Sequence, residues 1–183
     1  MLSKKSHNIK NRENPKDVFI TPKDLAKKHI DLINHKEDDI WYDPFRNSGV
    51  YYKQFPTDKK HKKWSEILKG KDFFEFDKKI DIICSNPPYS LLNKVFEHSI
   101  KLNPRVISYL IGINNLTPRR IEMMNNAGYG LTTMYMTNVW RWFGMSVIVV
   151  FEKDKDNIIM FDRTTWRDDD KKPKKKIVKK TKK

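Results

Sequence analysis

One short loop carries residues whose types and spacing could do chemistry. It consists of Asn86, Pro87, Pro88 and Tyr89, and it follows the apolar run 80–85. The run is typical of a buried strand, and the two prolines end it because they cannot continue a strand ladder. They also stiffen the loop, so the Asn86 amide and the Tyr89 ring would be held in fixed positions. An ordinary double-proline turn is the alternative interpretation.

In this context the segment 81–90 resembles the catalytic motif of S-adenosylmethionine (SAM)-dependent amino-methyltransferases, the Asn-Pro-Pro-Tyr class. The resemblance implies that the Asn86 side-chain oxygen and the Pro87 carbonyl accept hydrogen bonds from the two N–H groups of a substrate amine. These acceptors would stabilise the positive charge that develops on nitrogen as the methyl group arrives. Pro88 completes the rigid loop, and Tyr89 would offer a ring face on which a planar base stacks.

A second candidate loop follows the apolar run 40–42. It reads Asp43-Pro-Phe-Arg-Asn-Ser-Gly49 and is similar to the Asp-Pro-x-x-Gly-x-Gly cofactor loop of the same family. The resemblance implies that Asp43, followed by Pro44, neutralises the ammonium group of the cofactor, and that Gly49 lets the backbone approach closely. Asn47 stands where the family has its first glycine. Asparagine tolerates a left-handed backbone better than most residues, so the turn stays feasible.

Three further segments have the order that the resemblance requires. The Thr21-Pro22 pair looks like the family segment that lies near the methionine moiety of the cofactor, with a plain helix cap as the alternative. Glu66 is the candidate for binding the ribose hydroxyls, although a solvent-facing helix charge fits equally well. Asp72 and Phe73 resemble the pair that contacts the cofactor adenine, Asp72 by a hydrogen bond to its amine and Phe73 by packing.

The order of these segments also points to a subgroup. The Thr-Pro pair precedes the cofactor loop, which precedes the catalytic loop, and this order resembles the gamma-ordered adenine-N6 methyltransferases of DNA or RNA. The resemblance covers residues 18–152 and implies a SAM-dependent adenine-N6 methyltransferase, with DNA favoured over RNA. Such enzymes carry a separate target-recognition domain, for which we expect no room in 183 residues. Base choice would then come from the loops or from a protein partner, or it would be lax.

The elements that must position these loops alternate between strands and helices. Strands are predicted at 40–42, 64–68, 80–85, 106–113, 131–139 and 146–151, and helices at 21–33, 50–55, 91–102 and 117–126. This alternation predicts a doubly wound, Rossmann-like α/β fold of the class I methyltransferase kind, with a mostly parallel sheet and a C-terminal antiparallel hairpin. In such sheets ligands bind beyond the carboxyl ends of the strands, where both candidate loops fall.

The charge of the chain favours a polyanionic partner. Lys and Arg number 38 against 23 Asp and Glu, a net charge of +15, and such a surplus attracts nucleic acids. A merely soluble basic protein is the alternative. The candidate nucleic-acid contacts are Lys59, Lys60, Lys62, Lys63 and Arg141. Arg141 could equally lie in a hairpin tip that packs on the core.

Three regions are expected along the chain: a basic flexible arm at 1–17, a methyltransferase domain at 18–165 and a disordered Lys-rich tail at 166–183. Residues 171–183 hold nine lysines, and such a segment cannot fold alone. The tail could bind phosphates or act as a nuclear address. No membrane-spanning stretch or signal peptide is visible, so we expect an intracellular protein of the cytoplasm or nucleus. The single Cys84 and the spacing of the histidines give no case for a metal site.

Other functions remain compatible with the same motif. A protein glutamine-N5 methyltransferase is the main alternative, because the Asn-Pro-Pro-Tyr class also serves amide nitrogens. The basic segments and the Thr-Pro pair favour nucleic acid over protein. Methylation of guanine N2 in RNA is a third option, and a non-catalytic nucleic-acid-binding subunit with a relic methyltransferase fold is a fourth. The oligomeric state is left open.

Overall fold

The structure is a computed structural model that describes residues 20–139, 142 and 144–164. The predicted arm at 1–17, the predicted tail at 166–183 and Arg141 lie outside these residues. The helices within them are α1 (Lys23–Asp31), α2 (Leu92–Leu102) and α3 (Pro118–Asn126). The strands are β1 (Trp41–Asp43), β2 (Lys62–Trp64), β3 (Ile82–Ser85), β4 (Val106–Gly112), β5 (Tyr129–Thr137) and β6 (Ser146–Lys153).

These strands form a six-stranded sheet in the order β2-β1-β3-β4-β6-β5. The pairs β1–β2, β1–β3 and β3–β4 are parallel, whereas β6 runs antiparallel to both β4 and β5. The prediction of a mostly parallel sheet with a C-terminal antiparallel hairpin is therefore confirmed. The chain leaves β1 toward β2 on one side and returns to β3 on the other. This reversal between β1 and β3 is the switch point at which such folds bind ligands.

The sheet is covered on both faces because its side chains alternate along each strand. Tyr42 of β1 belongs to the cluster on one face, which it shares with Phe96 of α2. The preceding residue, Trp41, points to the other face, where it joins Ile30 of α1. All four side chains are almost completely buried, and each contributes about 1.5–3 kcal/mol through the hydrophobic effect. Helices on both faces confirm the doubly wound arrangement.

The second strand lies earlier in the chain than predicted. It spans Lys62–Trp64 instead of 64–68, and Ile67–Lys69 forms a short 3₁₀ turn. The turn is closed at its start by the Glu66 side chain, which accepts from the Leu68 amide, and at its end by Gly70 in the left-handed conformation (φ 68°). A side-chain cap and a left-handed glycine this close together leave no room for a strand.

Two other local predictions are wrong. Residues 50–55 form successive turns and no helix, because Pro56 follows and the residue before a proline is biased away from helical backbone. The helix α1 begins one residue late, with Pro22 in the cap position and no side-chain cap bond. Thr21, predicted as that cap, is instead buried, and its hydroxyl accepts a hydrogen bond from the Asn86 side chain.

Candidate active site

A pocket of about 420 Å³ opens at the switch point, beyond the carboxyl ends of β1, β2 and β3. Its walls bring together residues that are far apart in the sequence. The predicted site residues that line it are Thr21, Pro44, Asn47, Glu66, Asp72, Phe73, Asn86 and Pro88. The other predicted site residues do not line it: Pro22, Asp43, Gly49, Pro87 and Tyr89. The loops predicted to carry the chemistry thus converge on one cavity.

Asp43 lies beneath this pocket and is completely buried. Its Oδ1 accepts a hydrogen bond from the Ser85 hydroxyl at 2.7 Å, and its Oδ2 accepts from the Tyr52 amide at 3.3 Å. Burial raises the pKa of Asp43 to about 7. The hydrogen bonds from Ser85 and from the loop amides of Tyr52 and Phe45 act in the opposite direction, as does the positive charge of Arg46. The carboxylate thus ties the ends of β1 and β3 together, and its contact with a cofactor ammonium stays a prediction.

The loop after β1 takes the left-handed conformation that its sequence allows. Asn47 has φ 43° and Gly49 has φ 79°, so Asn47 adopts the left-handed backbone that its residue type tolerates. Glu66 holds this turn, because its Oε2 accepts from the Asn47 amide at 2.6 Å while its Oε1 accepts from the Leu68 amide at 3.3 Å. A carboxylate offers about four acceptor positions. Glu66 therefore keeps capacity for ligand hydroxyls in the pocket wall.

The apolar end of the pocket was predicted from the sequence only in part, through Phe73. Phe45 packs edge-on against the buried Phe73 ring at 5.1 Å between centroids, and the more exposed Phe74 and Leu68 complete this wall. Asp72 positions the turn by accepting from the Phe74 amide at 2.9 Å. Pairs of large apolar residues inside short polar loops are the signal that could have revealed this wall.

The Asn86 loop approaches the segment that precedes α1. The Asn86 Nδ2 donates to the Thr21 hydroxyl at 3.3 Å. The Thr-Pro segment and the Asn-Pro-Pro-Tyr loop, which the sequence resemblance groups together, are therefore in contact. Pro87 is buried beside the pocket. Tyr89 is half-buried and packs against the cluster that contains Tyr42 and Phe96. Its stacking role, like the acceptor role of Pro87, stays a prediction.

Behind this loop lies a buried polar chain that sequence reasoning missed. The His29 ring is completely buried between the Tyr51 hydroxyl, at 3.0 Å from Nδ1, and the Ser108 hydroxyl, at 2.7 Å from Nε2. Burial lowers the pKa of His29 to about 3, so the ring is neutral at physiological pH. The sequence placed His29 only within the helical pattern of α1. A histidine on the apolar face of a helix is the signal that could have drawn attention to it.

Basic residues gather around two rings at the β2 edge of the sheet. The Arg46 guanidinium lies 5.0 Å from the centroid of the Tyr52 ring and 4.7 Å from that of Trp64, and Lys71 lies 3.8 Å from the latter. Lys62 over Tyr52 and Lys69 over Trp64 complete the set. We call Arg46, Lys62, Lys69, Lys71, Tyr52 and Trp64 the cation–aromatic cluster. The contacts lie within the range of cation–π attraction.

The predicted lysine contacts divide between this cluster and the neighbouring turn. Lys62 belongs to the cluster, whereas Lys59 and Lys60 lie in the short 3₁₀ turn Lys59–His61. The Lys60 ammonium is 3.5 Å from the Asp58 carboxylate, and Lys63 donates to the Lys60 carbonyl at 3.3 Å. The predicted lysines thus lie on the edge strand β2 and in the turn that precedes it, and we call them, with the cluster, the basic edge.

Two classes of feature are missing from the part of the chain that the structure describes. No group of three or more His, Cys, Asp or Glu side chains there is arranged to hold a metal ion. Among the same residues, no helix is long and apolar enough to cross a bilayer.

Comparison with known proteins identifies the fold. No protein-family model matches the sequence, and no curated protein matches it significantly. Among solved structures, the magnesium protoporphyrin IX methyltransferase of Synechocystis PCC 6803, solved with bound SAM, superposes with a TM-score of 0.55 at 11% identity, over 72% of this chain and 77% of that one. A methyltransferase from Pyrococcus furiosus gives a TM-score of 0.55 at 14% identity, over 78% and 87% of the two chains.

The M protein of the type I restriction enzyme EcoKI is a third similar structure. It gives a TM-score of 0.53 at 11% identity, over 81% of this chain and 46% of that one. At such identities the similarity shows the fold alone. The chain therefore has the Rossmann-like fold of SAM-dependent methyltransferases, as the sequence predicted.

The buried Asp43 predicts a specific pH dependence of stability. Because its pKa in the folded protein, about 7, lies above the ordinary value of 3.8, the folded state holds the proton more tightly. The protonated Asp43 therefore contributes its full stabilisation of the folded state below about pH 4, and this contribution is lost as the pH rises through about 7. We expect Asp43→Asn, which carries no titrating group, to gain stability relative to the parent as the pH rises from about 5 to about 8. Urea unfolding at both pH values measures this change.

The matched control is Asp24→Asn, which alters an exposed carboxyl in the first turn of α1. The difference in the free energy of unfolding between Asp24→Asn and the parent should stay nearly constant over the same pH range. An Asp43→Asn difference that is equally constant would show that the Asp43 carboxyl does not titrate as its burial requires.

Proposed function

We propose that the chain is a SAM-dependent methyltransferase that modifies the exocyclic N6 of adenine in a nucleic acid, with DNA preferred over RNA. One observation carries the proposal. Asn86 lies in the wall of the same pocket as Glu66 and Asp72, at the switch point of a methyltransferase fold. An amide able to bind a substrate amine is thus beside acids able to bind the hydroxyls and amine of an adenosine moiety.

The pocket fits SAM in size and in lining. Its volume of about 420 Å³ lies within the usual range for small-molecule sites. Phe45 and Phe74 would pack on the adenine ring, Glu66 would accept from the ribose hydroxyls, and Asp72 would accept from the adenine amine. When bound, SAM supplies a methyl group on an electrophilic sulfonium. In its ionised form, Asp43 beneath the pocket would favour a cationic ligand.

The chain's own residues then act on the substrate nitrogen. The N6 lone pair is delocalised into the base, so the nitrogen is a weak nucleophile. Hydrogen bonds from its two N–H groups to the Asn86 oxygen and the Pro87 carbonyl favour a pyramidal nitrogen and stabilise its developing positive charge. The N–C bond forms as the S–C bond breaks, and the nitrogen then releases one proton to water. Because Asn86 cannot accept that proton permanently, it acts as an electrostatic stabiliser and not as a base.

The basic edge along β2 favours nucleic acid over a protein substrate. In the cation–aromatic cluster, Arg46, Lys62, Lys69 and Lys71 form no ion pair with any carboxylate of the described residues. No direct ion pair within the described residues occupies these cations, so they are available to phosphates. A glutamine side chain carries no charge, so a protein glutamine-N5 methyltransferase has no need of such an edge.

Methyl transfer from labelled SAM tests the proposal directly. The protein is incubated with DNA, with RNA and with a protein extract, and the labelled products are hydrolysed and identified. We expect the label in N6-methyl-deoxyadenosine, and to a lesser extent in N6-methyladenosine. Label confined to glutamine would move the function to the protein-directed alternative. Cofactor binding without any transfer would contradict the enzyme assignment and favour a non-catalytic subunit.

Asn86 should be required for transfer and dispensable for cofactor binding. We expect Asn86→Ala to lower kcat about 100-fold or more, because it removes an acceptor aimed at the developing charge. The Kd for SAM, measured by calorimetry, should change only a few-fold. The control Asn93→Ala alters an exposed asparagine on α2 and should keep the parent kcat. Loss of SAM binding together with activity in Asn86→Ala would show that Asn86 supports the fold of the pocket instead.

The cation–aromatic cluster should contribute measurably to nucleic-acid affinity. We expect the double substitution Lys62→Gln and Lys71→Gln to reduce the slope of log K against log salt by about 2, because each phosphate contact contributes about 0.9. The measurement is fluorescence anisotropy of a labelled oligonucleotide over a salt series.

A control with the same change of charge is Lys94→Gln with Lys101→Gln, two exposed lysines on α2. This pair should leave the salt slope near the parent value. Equal slopes for the two double variants would show that net charge, and not the cluster, determines binding.

A further inference from the structure

We propose that Asn115, in the turn after β4, contacts the target base, and that its side-chain amide donates a hydrogen bond to a ring nitrogen beside the exocyclic amine. The inference rests on the proposed function, because the base that Asn115 contacts is the methyl acceptor. Asn86 and Pro87 engage only the amine of that base. Recognition of its ring therefore needs a further polar group close to the catalytic loop.

Asn115 lies next to the catalytic loop and outside the cofactor pocket. In the sheet, β3 lies between β1 and β4. The loop of Asn86 follows β3, and the turn that ends with Asn115 follows β4. The cofactor pocket lies beyond β1, β2 and β3, and Asn115 does not line it. Because the nitrogen must attack the methyl group from the side opposite to the leaving sulfur, the base belongs on the β4 side of Asn86.

On that side, Gly112 leaves an open space between Tyr89 and Asn115. Gly112 is the last residue of β4, and a Cβ atom on it would lie 3.7 Å from Cε2 of Tyr89 and 3.4 Å from Nδ2 of Asn115. Apart from its neighbours in the chain, no other atom of the described residues lies within 4 Å of that position. The absence of a side chain lets a planar group approach the backbone closely. The proposed stacking ring and the amide thus border the same space.

The backbone of Asn115 is fixed, whereas its side-chain amide is left without a protein partner. The Asn115 carbonyl accepts from Nη1 of Arg120 at 2.6 Å, and the Leu116 amide closes the turn by donating to the Ile113 carbonyl at 3.1 Å. Neither Nδ2 nor Oδ1 of Asn115 forms a hydrogen bond with a described residue, and the side chain is half-buried. A ligand that displaces water from this amide must supply a hydrogen-bond partner in its place.

The groups that remain on the base determine what Asn115 can bind. The two amine protons are bonded to Asn86 and Pro87, so the neighbouring edge of the ring offers acceptors only. In adenine these acceptors are N1 and N7, which lie on either side of the amine. An asparagine amide that donates to adenine N7 is a common pairing in nucleic-acid recognition. The Asn115 Nδ2, the amide atom nearest to Gly112, is therefore the donor.

Analogues of the target base that lack one ring nitrogen test this contact. The measurement is kcat/KM for methyl transfer to oligonucleotides whose single adenine is unmodified, 7-deazaadenine or 1-deazaadenine. We expect the parent to lose about tenfold in kcat/KM with one of the two analogues, because one hydrogen bond is removed. Asn115→Ala should lose about tenfold with unmodified adenine and nothing further with that analogue, since the contact is already absent.

Two further variants separate the contact from the shape of the turn. Asn115→Asp keeps the shape of the side chain and replaces the donor by an acceptor. Its kcat/KM with adenine should fall at least as far as that of Asn115→Ala, while its midpoint of urea unfolding stays near the parent value. The matched control is Asn114→Ala, which alters the exposed neighbour in the same turn and should keep the parent ratios between adenine and the analogues. Parent ratios in Asn115→Ala, or altered ratios in Asn114→Ala, would overturn the proposal.

The same comparison in binding does not depend on catalysis. The Kd of each oligonucleotide is measured by fluorescence anisotropy with S-adenosylhomocysteine, which has no methyl group to transfer, in place of SAM. We expect one analogue to weaken binding several-fold in the parent and not in Asn115→Ala. This pattern in a parent that transfers no methyl group would support the contact and contradict the proposed function. Methyl transfer to adenine in which neither analogue distinguishes the parent from Asn115→Ala would leave the proposed function standing and overturn the contact.

Discussion

The hydrogen bond from the Ser85 hydroxyl to the buried Asp43 carboxylate joins the carboxyl ends of β1 and β3, the two strands that flank the switch point. A carboxylate in such a position is costly unless its oxygens are satisfied. The loop after β1 supplies a second donor from its own backbone, and the residue after Ser85 is Asn86. The hydrogen bonds to Asp43 thereby fix the positions at which both loops leave the sheet. If either loop moved, the buried Asp43 carboxylate would lose a hydrogen-bond donor. Both loops are therefore held in place, and the pocket lies between them.

The sequence predicted most accurately those elements whose signals are local. Thr117 caps α3 by accepting from the Arg120 amide, with Pro118 in the first helical position, and the continuous apolar runs gave β3 and β4 to within two residues. The strand β2 was misplaced because it is short and half-exposed. It carries Lys62 and Lys63 and has no apolar run, so only its pairing with β1 defines it. Tertiary contacts of this kind override local propensity.

The same division applies to the site. Polar motifs in loops after strands could be recognised because their residue types are unusual there, and the structure brings Asn86, Asn47 and Glu66 to one pocket. The wall of Phe45 and Phe74 depends on how three loops converge, and the chain through His29 joins α1, β4 and the turns after β1. No window of sequence contains such an arrangement. The fold also hosts many chemistries, so the substrate must be argued from these particular residues and not from the sheet.

The position of β2 has a consequence for how the molecule behaves in concentrated solution. It is an outermost strand of the sheet, and a strand in that position offers unpaired backbone groups to any other extended chain. The strand β2 is only three residues long, so an approaching strand could form few backbone hydrogen bonds with it. It also carries two lysines, whose charges disfavour such pairing. The basic edge that would attract a polyanion therefore also protects this side of the sheet against pairing with a second strand.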